Sequence, residues 1–255
     1  MKIISLNAWC GRAGEPLHDF FIKHKNIDIF CLQEVDLDGT KFGPEVTGNN
    51  DSNTPKGDPH LFYSLTDILS DHHGFFSPTL DHWWGNAIFI KKSLYQRISA
   101  SGEIVVSDDQ QQYVDYETWF RRAIQWIDFS ENDKKYTLVN FHGLWEKGKG
   151  KNDSDDRFKQ SKKILAFLES KNERNIILAG DFNLNPDTQS IKMIEEFSLK
   201  NLIKEFSITD TRTSFYKKEN RFADYIFVSP DICVKNFKVL PDEVSDHAPL
   251  YLEID

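Results

Sequence analysis

Short apolar runs that end in a hydrogen-bonding or ionisable side chain recur along this chain. They constrain its fold more than any other feature. Residues 2–7 end in Asn7, 27–34 end in Glu34 and 136–142 end in His142. Residues 175–180 lead into Gly180-Asp181-Phe182-Asn183. Residues 221–229 carry Asp224 within an apolar stretch, and Ser245-Asp246-His247-Ala248-Pro249-Leu250 precedes the run 251–254. Apolar runs of this length, bounded by Gly and Pro, read as buried strands. Polar groups massed at the ends of buried strands are where α/β folds build their sites.

Between these runs the periodicity changes. An amphipathic helix is expected near 15–25, a second near 61–70, a third over 154–170 and a fourth over 187–197. Phe158, Ile164, Leu165 and Leu168 mark the apolar face of the third. Further strands are expected near 85–91, 97–106, 118–129, 222–228, 233–239 and 249–254. A polar loop rich in Gly, Asn, Asp and Pro spans 36–60, a length usual for functional or mobile segments. Strand runs interleaved with a few helices fit sheet packed on sheet, with helices outside.

With 255 residues, no Pro/Ser/Gly-rich linker and no internal repeat, one domain over 1–255 is expected. Lys and Arg number 31 against 40 Asp and Glu, a net charge of −9. That opposes non-specific nucleic-acid binding, which runs on Lys and Arg, although a local basic patch is compatible with it. Three cysteines, Cys10, Cys31 and Cys233, make no disulfide framework; Cys31 and Cys233 read as small core residues. The chain begins directly in a strand, without an apolar leader, and no run approaches membrane-spanning length. A soluble, cytoplasmic monomer is the expectation.

Collected, the strand-end side chains are Asn7, Glu34, His142, Asp181, Asn183, Asp224, Asp246 and His247. Carboxylates and amides suit a hard cation such as Mg²⁺, and Mn²⁺ as a substitute. Two histidines with an acidic partner suit phosphate handling and proton transfer. The motifs Leu6-Asn7-Ala8-Trp9, Gln33-Glu34-Val35, Phe141-His142-Gly143-Leu144, Gly180-Asp181-Phe182-Asn183, Ala223-Asp224-Tyr225-Ile226 and Ser245-Asp246-His247 stand in an order that resembles the endonuclease/exonuclease/phosphatase superfamily. GDFN or SDH alone is weak; six motifs in order across residues 3–254 are a strong signal.

The resemblance implies a DNase I-like four-layer α/β sandwich with two packed, mostly antiparallel sheets. It also implies a phosphoric ester hydrolase of the two-histidine branch, which includes DNase I, sphingomyelinases and deadenylases. Glu34 alone would be an ordinary strand-end carboxylate; in this context it becomes the expected metal ligand, with Asp246 on the metal side. Asp181 and Asn183, two apart, would share a face if extended, while Asn185 and Asp187 serve the following turn and helix start. By resemblance Asp181 positions the attacking water and Asn183 holds it or the phosphate. Adjacent strand residues face opposite ways, so Asp246 need not be the partner of His247; the resemblance implies Asp224, on a nearby strand, and a carboxylate there favours imidazolium.

His142 is expected on a phosphate oxygen, although a lone strand-end histidine is more often structural. Asn7 is read as orienting Glu34 or the water, with Trp9 and Arg12 on the rim. Trp145 with Lys147, Lys149 and Lys151 is either a substrate-holding loop or a solvated one. Of Arg121 and Arg122, only one can face the site. The other histidines, at 18, 24, 60, 72, 73 and 82, read as surface or loop. A phosphodiester substrate, with nucleic acid the first candidate, stands beside a monoester, inositol phosphate or sphingomyelin, and beside a non-catalytic binding module on the same fold.

Overall fold

In the computed structural model of the chain, residues 1–38, 56–80, 83–107, 122–146, 148–171 and 174–255 are described. The elements in order are β1 (Lys2–Asn7), α1 (Glu15–Lys23), β2 (Ile29–Asp36), α2 (Leu61–Ile68), β3 (His72–Leu80), β4 (Trp84–Lys91), α3 (Lys92–Tyr95), β5 (Ile98–Val105), β6 (Ala123–Glu131) and β7 (Lys134–His142). They continue with α4 (Asp155–Glu169), β8 (Asn175–Asp181), α5 (Gln189–Glu196), β9 (Lys200–Asn201), α6 (Leu202–Glu205), β10 (Asp224–Val228), β11 (Val234–Val239) and β12 (Leu250–Ile254). The expected loop over 36–60, the start of the expected 118–129 strand, Arg121, His82 and Lys147 fall partly or wholly outside the described residues.

Among the described residues, two six-stranded sheets pack face to face, in the orders β11-β12-β1-β2-β4-β3 and β5-β6-β7-β8-β10-β9. Each sheet contains one parallel step, β1–β2 in the first and β7–β8 in the second; every other pairing is antiparallel. A parallel step needs a crossover, and α1 and α4 supply them. Both steps therefore bring two strand C-termini side by side. Asn7 and Gln33 are register partners in one sheet, and His142 and Asp181 in the other. This is the expected sandwich.

Alternation builds the layers. Ile3, Ile29, Cys31, Ile88 and Ile90 face the second sheet, while Ile4, Leu6, Phe30, Leu32 and Phe89 pack on Leu17, Phe20 and Phe21 of α1 and Leu61 and Leu65 of α2. Between the sheets, just behind the paired strand ends, lies a buried polar cluster. Asn140 Nδ2 donates to Leu32 O (2.9 Å), Ala87 O (3.1 Å) and Gln125 Oε1 (3.2 Å), and Gln33 Nε2 donates to Asn140 Oδ1 (2.7 Å). These bonds tie β2 and β4 to β6 and β7. Replacing Asn140 by Ala removes a partner from two strand carbonyls and from the Gln33 and Gln125 amides in the interior. We expect a loss of roughly 2–4 kcal/mol, read as a lowered denaturant midpoint at unchanged slope.

Three details depart from the sequence reading. β3 was not expected, because Gly74 and Pro78 interrupt its pattern; it is an edge strand, where proline is tolerated. His72, read as surface or loop, is buried in it and its Nε2 lies 2.8 Å from Ile27 O. Cys233, read as core, is exposed, while Cys31 is fully buried. Gly180 has φ +147°, and a Cβ there would lie 1.9 Å from Phe141 O, so only glycine lets β8 approach β7 beside the site. No helix among the described residues is long and apolar enough to cross a membrane.

Candidate active site

The two parallel steps meet at one place. Asn7 Nδ2 donates to Glu34 Oε1 and to Asp181 Oδ2, both at 3.0 Å, and so joins the first sheet to the second. Strand parity alone would turn Glu34 with Leu32 toward the helices. A register shift between Leu32 and Val35 and a left-handed φ of 54° at Glu34 reverse this. The extra residue is a β-bulge, a device that re-aims a side chain. Strained φ values gather here: Trp9 (50°), Cys10 (53°) and Asn183 (53°) accompany Glu34, as at sites whose surroundings over-determine the backbone.

On the second sheet His142, Asp181 and Asp224 occupy one register across β7, β8 and β10, so their side chains share a face. His142 Nε2 lies 3.7 Å from Asp181 Oδ2 and 3.8 Å from Glu34 Oε1. His247 Nδ1 meets Asp224 at 2.8 Å and its Nε2 lies 3.5 Å from Asp181 Oδ2. Asp224, not Asp246, is therefore the partner of His247. Asp224 also accepts from Thr211 Oγ1 at 3.0 Å.

Asn183 corrects the extended geometry expected of it. Its φ is left-handed, its N–H donates to Asp181 Oδ1 (2.8 Å), and its Nδ2 reaches Gly143 O (3.3 Å). It is buried and locks Asp181 through a side-chain turn. The start of α5 is not served by Asn185 or Asp187 side chains either: Asp153 accepts from Gln189 N (2.7 Å) and Ser190 N (3.0 Å).

Asp246 Oδ2 accepts from Arg212 Nη1 at 2.7 Å, and its Oδ1 lies 3.8 Å from His247 Nε2. Trp9 is half-buried, its N–H bonded to Asn7 Oδ1 (3.0 Å) and the Arg12 guanidinium 5.7 Å over its ring. Trp145 is 43% exposed. The segment after it is not a run of free lysines. Lys149 pairs with Glu146 at 2.8 Å, and Lys151 is buried, donating to Asn220 O (2.9 Å) and Phe222 O (2.6 Å). Buried Arg157 of α4 gathers this segment through Leu144 O and Gly150 O.

Three cations line the site: Arg122, one of the pair of which only one was expected to face it; Lys151, read as part of a loop that either holds substrate or is solvated; and Arg212, which the sequence did not single out. Arg122 is buried against Trp84, 5.6 Å over its ring, and is drawn on by Glu34 and Asp181. Arg212 and Lys151 lie over the same Tyr216 ring, at 4.2 and 4.7 Å. Burial lowers Arg122 to about 10 and Lys151 to about 8, both still cationic at pH 7. No strand-end motif marks any of them; each reaches the site from a loop or strand start.

The imidazolium expected at His247 is not what its surroundings favour. Burial, with Arg212 and Lys151 nearby, lowers it to about 4, against the pull of Asp246 and Asp181; burial raises Asp224 to about 6. At pH 7 the pair is a neutral imidazole donating Nδ1–H to a carboxylate, which leaves an Nε2 lone pair toward the site. His142 is pushed well below its usual value by burial, then by Arg122. Its Nδ1 has no partner among the described residues, and the carboxylates beside Nε2 favour the proton there.

Two sets of side chains offer ligand atoms within 4.8 Å of one another among the described residues: Glu34, His142 and Asp181, and Asp181, Asp224 and His247. In the first, the carboxylates of Glu34 and Asp181 are oxygen donors that fit a divalent cation. Burial raises Glu34 to about 7, opposed by the Asn7 bond and reinforced by Asp246 and Asp181. Below pH 7 a proton therefore competes for this ligand, and above it the carboxylate is free. Apparent Mg²⁺ affinity should rise about tenfold from pH 6 to pH 8 and then level off, measured as the Mg²⁺ activation midpoint at each pH.

The sequence profile of the Endonuclease/Exonuclease/phosphatase family matches residues 4–247. The chain belongs to this family. Its members are hydrolytic phosphoesterases that generally depend on a divalent metal. No curated protein matches the chain by sequence. Solved structures resemble it over its whole length. A family protein from Bacteroides vulgatus is 18% identical with a TM-score of 0.73, covering 100% of this chain and 98% of the other. A Bacteroides thetaiotaomicron mannosyl-6-phosphatase is 18% identical at TM-score 0.72, covering 100% and 99%. The human nocturnin catalytic domain with bound sulfate is 18% identical at TM-score 0.67, covering 100% and 93%. At these identities the likeness concerns the fold.

Proposed function

We propose that this phosphoesterase is Mg²⁺-dependent, with Mn²⁺ able to substitute, and that it hydrolyses phosphodiesters. One observation carries the reading: two buried imidazoles, His142 and His247, approach Asp181 at 3.7 and 3.5 Å beside Glu34 and Asn7. Glu34 and Asp181 are the residues to hold the ion, which when bound supplies Lewis acidity at phosphoryl oxygen and steadies the leaving oxygen. Asp181, fixed by Asn7 and by the Asn183 N–H, orients the attacking water. His247 accepts a proton at Nε2, and Asp224 stabilises the imidazolium so formed. His142 donates from Nε2 to a non-bridging oxygen, and Arg122 offsets charge accumulating there.

A second reading, a small phosphomonoester, is favoured by the placement of the cations. Arg122, Arg212 and Lys151 are buried in the walls of the site, whereas a polymer backbone needs cations along a surface. Binding of nucleic acid is expected to be weak and salt-sensitive at a net charge of −9. A panel with Mg²⁺ tests these readings: plasmid, single-stranded DNA, RNA, sphingomyelin, inositol phosphates, p-nitrophenyl phosphate and bis-p-nitrophenyl phosphate. The diester should turn over faster than its monoester counterpart. Faster hydrolysis of an inositol phosphate or another monoester replaces the first reading with the second.

A further inference from the structure

Trp84 is buried, yet neither apolar core among the described residues includes it. It opens β4 opposite Asp36, the last residue of β2, and Thr79 Oγ1 on β3 donates to its carbonyl (3.2 Å). At the next position a Cβ on Gly85 would lie 2.1 Å from Ser77 O, so only glycine lets β3 close on β4 here. The backbone of Trp84 is thus fixed within the first sheet, while its indole reaches the second. The ring lies 5.6 Å from the His142 ring, tilted by 56°, and the Arg122 guanidinium sits 5.6 Å over it. Its Nε1–H donates to Cys10 Sγ (3.2 Å), and the Cys10 thiol bonds in turn to Asp36. These bonds hold the plane of the ring as well as its place.

Arg122 directly precedes β6, and His142 ends the neighbouring β7, with Ile124 opposite Phe141 on the paired strands. The negative charges that act on Arg122 are those of Glu34 and Asp181. Among the described residues, the ion pairs at these two carboxylates come from His142 and His247. A guanidinium forms its strongest contacts as a two-pronged fork on a carboxylate. Such a fork on Glu34 or Asp181 would occupy the oxygens that a divalent cation needs. The indole face competes with it, because its electron-rich ring attracts a cation and tryptophan does so best, most of all out of water.

We propose that Trp84 is a positioning residue: its indole holds the Arg122 guanidinium off Glu34 and Asp181, leaving the carboxylates to the divalent cation and Arg122 to the phosphate. The proposal rests on the phosphoesterase reading of the site and adds to it how a buried arginine and a metal share one pair of carboxylates. Cys10 has a part in it through the indole N–H alone.

The test is calorimetric titration with Mn²⁺ of the wild type, Trp84→Leu and Trp84→Phe, with Trp84→Leu repeated on an Arg122→Gln background. Trp84→Leu should bind Mn²⁺ at least about tenfold more weakly, the scale of a desolvated cation–ring contact. Trp84→Phe keeps a ring face and should stay within about threefold of the wild type. On the Arg122→Gln background the Leu substitution should change Mn²⁺ affinity by less than about twofold, because its effect runs through the guanidinium. Equal weakening on both backgrounds marks a merely structural tryptophan and overturns the proposal, as does unchanged affinity in Trp84→Leu. If Trp84→Leu does not fold, Cys10→Ala takes its place: it should weaken Mn²⁺ only where Arg122 is present, Cys10→Ser should restore binding, and no change overturns the proposal. A wild type that binds no Mn²⁺ counts against the metal reading instead. The position of Arg122 in crystals of Trp84→Leu, or of Cys10→Ala, then decides: a guanidinium paired with Glu34 or Asp181 supports the proposal, and one left in place overturns it.

Discussion

Asp181→Asn should lower turnover by at least about a hundredfold at saturating Mg²⁺, the scale of a lost catalytic carboxylate. The side chain is almost completely buried and accepts on both oxygens, from Asn7 Nδ2 and from the Asn183 N–H. An amide has the same shape, but it removes the charge and turns one donor toward another donor. That mismatch costs about 1–3 kcal/mol, and relief of repulsion between Asp181 and Glu34 offsets part of it. The variant should therefore stay folded, with a melting temperature near the parent's, while losing activity. Folded protein with turnover within a few-fold of wild type would remove Asp181 from the reaction.

His247→Ala should cost a similar factor, at least about a hundredfold, through a different route. The imidazole is held by Asp224 at 2.8 Å and presents Nε2 toward Asp181. Removing it deletes the proton acceptor and leaves Asp224 buried, with Thr211 as its remaining side-chain partner. Some stability is lost with it. The competing account is a core histidine that satisfies a buried aspartate and has no part in chemistry. The two separate cleanly when circular dichroism and turnover are measured on both variants. If His247→Ala unfolds while Asp181→Asn remains active, the core account holds.

Much of this arrangement was legible in the chain, for a physical reason. Buried strands show as short apolar runs, so Asn7, Glu34, His142 and Asp181 stood out as polar groups at their ends. The opposed directions of adjacent side chains argued against Asp246 as the partner of His247, and the family resemblance pointed to Asp224. What escaped notice depends on backbone departures or on distance along the chain. The bulge that turns Glu34 into the site, and the left-handed Asn183, have no periodic signature. Arg212 comes from a segment where a lone cation looks like a solvated one; Arg122 and Lys151 were candidates with a second alternative each, and the packing on Trp84 and Tyr216 shows all three turned inward. The imidazolium expected at His247 failed because burial outweighs a single neighbouring carboxylate. β3 was hidden by the Gly74 and Pro78 that an edge position tolerates.

The central claim is that Glu34 and Asp181 hold a divalent cation that phosphate ester hydrolysis requires. Its most direct measurement is the rate of bis-p-nitrophenyl phosphate cleavage by protein stripped with EDTA, titrated with Mg²⁺ or Mn²⁺, for the wild type and Glu34→Gln. The account predicts no turnover in the stripped protein, full recovery on adding either ion, and a Glu34→Gln activation midpoint shifted to higher concentration by at least about tenfold. Undiminished cleavage after stripping, or a Glu34→Gln midpoint equal to that of the wild type, would contradict it.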